Sequence, residues 1–161
     1  MPTLLHTVAI QGRVRIVTRR RADQAILTDS GWHTNTVTNA ALAAMVQWLT
    51  GTGNIGYAAA PYPNYVELGT GSGTPEPTDT ALFAPVAVTN TRVAILQPAA
   101  DNPAQAEWIV AFPASAPAGS YTEAGLFTAD GTLFAHVAGL TIELSASTTT
   151  SLQWVWTLSV G

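Results

Sequence analysis

Residues 7–17 alternate strictly between apolar and polar positions. Val8, Ile10, Gly12, Val14 and Ile16 fall on one face, and Thr7, Gln11, Arg13 and Arg15 on the other. Successive side chains of an extended chain point to opposite faces, so this pattern predicts a half-buried β-strand. Arg19 to Asp23 makes a turn, and Gln24 to Thr28 begins a returning strand. The period then lengthens. Leu42, Met45, Val46 and Leu49 recur at i, i+3, i+4 and i+7, the stripe of a helix lying on a core. That spacing predicts a helix over about residues 38–50, with Thr36 or Thr38 as N-cap and Gly51 as the left-handed residue that ends it.

Beyond the helix the pattern is again that of strands. Residues 51–64 form a Gly-, Pro- and Tyr-rich loop without periodicity, and 64–69 a short strand. The loop GTGSGTPEPTDTALF follows, closing on a single turn at 79–83. Further strands are expected over 86–96, 105–112, 121–127, 132–137, 140–144 and 151–160. Asp130-Gly131 is a strong turn signal, because this pair supplies the positive φ angles of a type I′ hairpin. In the last strand Leu152, Trp154, Trp156, Leu158 and Val160 share one face, a large apolar block. The candidate core is therefore Leu42, Met45, Val46 and Leu49 with Trp154, Trp156 and Leu158. The fold expected is mainly β: one antiparallel β-sandwich or partly closed barrel with a single helix. Residues 1–161 read as one domain, with 1–33 as an N-terminal strand and hairpin arm.

Composition changes this picture in one respect. Charged residues are 10% of the chain, against roughly 25% in typical soluble domains. There is no lysine, and five of the six arginines stand at 13, 15 and 19–21. A surface this neutral suggests burial in an assembly. Arg13, Arg15, Arg19, Arg20 and Arg21 read either as a solvated hairpin or as an ionic anchor to an acidic partner. Net charge is −4, which argues against general nucleic-acid binding. No run of apolar residues is long enough for a membrane helix, and the N-terminus lacks the order of a signal peptide. With no cysteine, stability must come from the core and from oligomerisation.

Candidate chemistry is sparse. GTGSGTP has the glycines of a phosphate loop but neither the lysine nor the following helix. His6, His33 and His136 stand alone in their segments, without metal-ligand spacing. Glu107, Glu123 and Glu143 lie on expected strands, where a glycosidase pair would need two of them to converge. No nucleophile elbow surrounds any serine. The expectation is no catalytic residue, no metal and no cofactor. Tyr57, Tyr62 and Tyr65 are candidate interface residues, or stacking platforms for a carbohydrate-binding module.

An ordered set of segments carries a resemblance. Thr34-Asn35-Thr36-Val37-Thr38-Asn39-Ala40 leads into the helix, then Val66-Glu67-Leu68-Gly69-Thr70-Gly71-Ser72-Gly73-Thr74-Pro75 and Thr78-Asp79-Thr80-Ala81-Leu82. Glu123-Ala124-Gly125-Leu126-Phe127, Asp130-Gly131-Thr132-Leu133-Phe134-Ala135 and Trp154-Val155-Trp156-Thr157-Leu158 complete it. The succession resembles tailed-bacteriophage virion proteins: capsid decoration (cement) proteins, tail-collar fibre N-terminal domains and baseplate components. It departs from them where Ala84-Pro85-Val86 stands in place of an acidic residue and an arginine, with Arg92 coming later. The resemblance implies a non-enzymatic structural subunit of a phage particle, made in the host cytoplasm. A homo-oligomer, with a trimer favoured, would bind the major capsid protein or other virion subunits, and neither nucleic acid nor membrane. The chain stops after its last strand, without the shaft of a fibre, which tilts the expectation toward capsid decoration over tail, baseplate or neck.

Overall fold

A computed structural model describes residues 8–50, 62–86, 93–94, 97–99 and 104–160. The described elements are mainly strands. They are β1 (Val8–Arg20), β2 (Ile26–Val37), α1 (Asn39–Thr50), β3 (Pro63–Gly69), β4 (Val93–Ala94), β5 (Gln97–Ala99), β6 (Gln105–Ala111), β7 (Gly119–Thr128), β8 (Leu133–Leu144) and β9 (Thr148–Val160). They form one antiparallel sheet in the order β4-β3-β7-β8-β2-β1-β9-β6-β5. The sheet curls until β3 and β4 approach β6, giving the nearly closed barrel that the alternating pattern calls for.

The seam of the barrel is short. β2 pairs with β8 only through Thr36↔His136 and Val37↔Ala135. Bulges then turn the two strands apart. On β2 the register shifts around Ser30 and Gly31, where Gly31 takes φ 68°. On β8 it shifts around Gly139, at φ 73°. Positive φ costs a glycine little, which is why these positions can bend a strand without ending it. The sequence segments 132–137 and 140–144 are thus one bulged strand.

Inside lie Val14 and Ile16 of β1, Leu152, Trp154 and Trp156 of β9, Val110 of β6, and Phe134 and Ile142 of β8. Trp156 is wedged edge-on against Trp108, with ring centroids 5.1 Å apart, and stacks at 6.3 Å on Phe134. Leu158, expected in this core, is 45% exposed because β9 has run past the packed layer by then. The helix begins where expected: the Ala41 amide donates to the Thr38 hydroxyl at 3.3 Å, so Thr38 is the cap. Its face is not the expected one. Ala41 and Ala44 are buried and Met45 packs half-buried against the core, while Leu42 and Val46 are exposed. Two small side chains let the helix lie close to the sheet, and that geometry turns the larger stripe outward. Leu49, Tyr57 and Arg92 lie outside what can be described of side chains.

The hairpin at Asp130-Gly131 also differs in type. Only Gly131 of the pair has positive φ, at 89°, and its amide donates to the Thr128 carbonyl at 3.1 Å. This is a type I turn followed by a left-handed glycine, since a type I′ turn needs positive φ at both residues. Residues 20–32 are exposed, but β1 is a central strand between β2 and β9. Only the far half of the hairpin therefore stands out from the barrel, and the rest of the 1–33 arm that the structure describes is part of the domain.

Candidate functional site: a buried Asp–His–Glu clasp

The loop from Gly69 to Val86 has no strand partner along most of its length, so its amides need other acceptors. Glu123 supplies them. It sits on β7 in the run Tyr121–Thr128, where nearly every side chain is buried, and is itself wholly buried. Its Oε1 accepts from the Gly71 amide at 2.9 Å and the Ala84 amide at 2.8 Å, and its Oε2 from the Phe83 amide at 3.0 Å. A fourth donor comes from β8: His136 Nε2 lies 2.9 Å from Oε2. Glu123 thus pins the loop at two places a dozen residues apart in sequence.

His136 continues the chain. Its Nδ1 lies 2.8 Å from Asp79 Oδ2, which also accepts from the Glu76 amide at 2.9 Å. The Asp79 carboxylate closes the turn before it and reaches inward to the ring. The imidazole thus bridges two carboxylates, one at each ring nitrogen. Phe83 lies against the ring at 4.6 Å and shields it. Leu82 drops into a small cluster with Tyr65, Phe127 and Leu133.

Burial works to raise the Glu123 carboxyl, and this is the largest single influence on it. The amides of Ala84, Phe83 and Gly71 together with His136 outweigh it and leave the group below its ordinary range. The glycines are spaced for this contact. A Cβ on Gly71 would come within 2.5 Å of Phe83 Cβ and 2.6 Å of Glu123 Oε1. On Gly125 it would come within 2.6 Å of the Phe127 ring and 2.8 Å of Leu133. GTGSGTP is therefore a loop whose Gly71 amide meets an internal carboxylate.

Chemically the cluster is a closed relay. Its central ring is buried, and its hydrogen bonds tie the loop to β7 and β8. Among the described residues no three His, Cys, Asp or Glu side chains are arranged to bind a metal ion, and no helix is long and apolar enough to cross a membrane. The three strand glutamates do not converge: Glu123 faces the loop, Glu107 hydrogen-bonds Gln153, and Glu143 is exposed.

The candidate interface residues are scattered and mostly occupied. Arg15 makes a two-pronged pair with Asp29 and, with Arg13, covers the Trp32 ring. The Arg15 guanidinium, with help from the Gly31 amide, holds Asp29 at about 2. Arg19 reaches the Gln24 carbonyl and Arg20 pairs with Asp23. Arg21 caps the β8–β9 turn through the carbonyls of Ala146 and Thr148. Tyr65 is buried and stacked on Phe127, so it offers no outer surface; on β3 only Asn64 and Glu67 are half-buried. Tyr62 is exposed.

A second feature was invisible in the sequence. Leu42, Met45 and Val46 of α1 face Ile10, Trp108, Trp156 and Leu158 across an apolar groove of about 580 Å³. Among the described residues nothing charged lines it. No protein-family model, curated protein or solved structure matches the chain.

Proposed function

We propose that the chain is a non-enzymatic structural subunit of a tailed-phage particle, a capsid decoration protein in the first instance. One observation carries the reading. The segments that bear the resemblance, around Gly71, Asp79–Leu82, Glu123–Phe127 and Asp130–Ala135, meet in one hydrogen-bonded unit with His136 at its centre. Segments far apart in sequence resemble the group together because they do one job together: they fasten a loop to a sheet. A loop fastened to a barrel in this way suits a part for assembly. The groove rimmed by Leu42, Val46 and Leu158, apolar among the described residues that line it, supports burial against other subunits.

We put decoration of the capsid ahead of a place in the tail, baseplate or neck, and the copy number per particle separates these roles. Binding would be mechanical, with capsid and neighbouring copies burying neutral surface. Mass spectrometry of separated heads and tails tests this. The expected result is the protein on heads, in a copy number that scales with the capsid lattice. Recovery only with tails, in a number matching their axial symmetry, would reassign it. Binding on a glycan array would favour a carbohydrate-binding module, although of its three tyrosines Tyr65 is buried.

A further inference from the structure

Along one side β2 is paired for most of its length: its residues 26–35 lie against β1. On the other side, toward β8, the ladder among the described residues holds only Thr36 and Val37. Past that point the bulges at Gly31 and Gly139 carry the strands apart, and a cleft of about 480 Å³ opens between them. Residues 27–30 form one wall and 139–141 the other, over the buried Ile16 and Thr18 of β1. A Cβ on Gly31 or on Gly139 would meet nothing within 4 Å, so both bulges face open space. Residues 26–32 of β2 are exposed, with Ile26 at 54%, Leu27 at 44% and Trp32 at 40%. A strand edge outside its ladder presents a row of main-chain donors and acceptors, and another extended chain is what answers such a row.

We propose that the open edge of β2 takes up an extended segment of another protein as an added strand, a segment in which apolar and acidic residues alternate. The proposal stands on the seam itself and does not need the virion reading. Alternation follows from the two sides that the segment would meet, since successive side chains of a strand point to opposite faces. One side looks into the cleft, where Ile16, Leu27 and Leu140 offer apolar contact. Glu143 stands on the same wall as Leu140 and disfavours a carboxylate there. The other side meets arginines. Arg13 and Arg15 of β1 reach over the Trp32 ring of β2, at 4.5 and 5.9 Å from its centroid.

Charge decides the occupant. Residues 8–37 hold five of the chain's six arginines and two of its ten carboxylates. Asp29 and Asp23 answer Arg15 and Arg20, which leaves Arg13, Arg19 and Arg21 without a carboxylate among the described residues. Two copies laid edge to edge at β2 would set these surplus positive charges against each other, whereas an acidic segment is drawn to them.

A peptide of about ten residues, alternating valine and glutamate, is the probe. It is titrated into the full chain at low salt, with the β2 amides followed by NMR and hydrogen exchange. Saturable binding is expected, with added protection of amides between Ile26 and Asn35. Methylating alternate main-chain nitrogens of the peptide should weaken binding about tenfold or more, because the ladder hydrogen bonds are lost. Lysine in place of glutamate in the peptide should abolish binding. Arg13→Gln should weaken the original peptide about threefold, the value of one exposed charge pair, without lowering the melting temperature. A peptide that leaves the β2 amides unprotected, or a methylated or lysine peptide that binds as well, would overturn the proposal. So would self-association of the chain alone with protection of those same amides, which would make a second copy the occupant.

Discussion

At the clasp, Glu123 loses all contact with water and gains four donors. On β2, Asn35 loses nearly as much and gains none within the chain. Both are polar side chains on central strands of one sheet, so what differs is the use of the surroundings. Around Glu123 the chain spends a loop of small residues and a histidine on one carboxylate. Around Asn35 it places glycine and threonines, which offer nothing. A buried charge has to be satisfied by the chain itself or the domain fails to fold. The Asn35 carboxamide is enclosed as well, with neither polar atom open to solvent and no hydrogen-bond partner among the described residues. The difference separates a finished region from an unfinished one.

The comparison breaks most visibly at Glu123. Glu123→Ala would leave three amides and the His136 ring without their acceptor, and should cost about 3–5 kcal/mol in denaturant unfolding. Asn35→Leu should be close to neutral in the same measurement. Equal losses in the two variants would show that both regions are finished alike. Gly71→Ala tests the tightness of the clasp, since its Cβ would strike Phe83 and Glu123; about 1–3 kcal/mol is expected from overpacking.

Acid should act on the clasp first. The folded Glu123 carboxyl lies below its ordinary value of 4.5, so the stability it adds is fully present above that pH. It is lost as pH falls through the lowered folded value, because the unfolded chain then binds the proton more readily. Unfolding free energy measured below pH 4.5 should therefore fall with a slope that Glu123→Gln reduces. Asp29 behaves alike between its ordinary 3.8 and about 2, but its pair with Arg15 is on the exposed hairpin and salt should erase it. The smallest effects belong to the rim: Leu42→Ser and Val46→Ser should each change monomer stability by no more than about 0.5 kcal/mol. A loss several times larger would mean that these side chains are already covered within the chain.

Strand alternation was legible because burial on one side of a sheet imposes it residue by residue. Val14 and Ile16 on β1 and Trp154 and Trp156 on β9 lie inside as their spacing requires. The helix was legible in extent and in its Thr38 cap, both local properties. Its orientation was not, because a stripe of large apolar residues says that a face is to be covered without saying by what. Ala41 and Ala44 won the contact with the barrel through size, and Leu42 and Val46 were turned toward whatever lies outside. The clasp was half legible. Glu123, His136, Asp79 and the glycines each stood out, but as separate signals with separate explanations. His136 looked solitary because its partners are 57 and 13 residues away along the chain.

The sequence by itself determined a β-rich domain with one helix, its buried strand faces and its small stock of chemical groups, because these follow from periodicity and composition. Only the tertiary structure decided that a carboxylate, an imidazole and a second carboxylate meet under a glycine loop, and that an asparagine is buried without a partner. Those are properties of distance between remote segments, which strand pairing sets and no local pattern records.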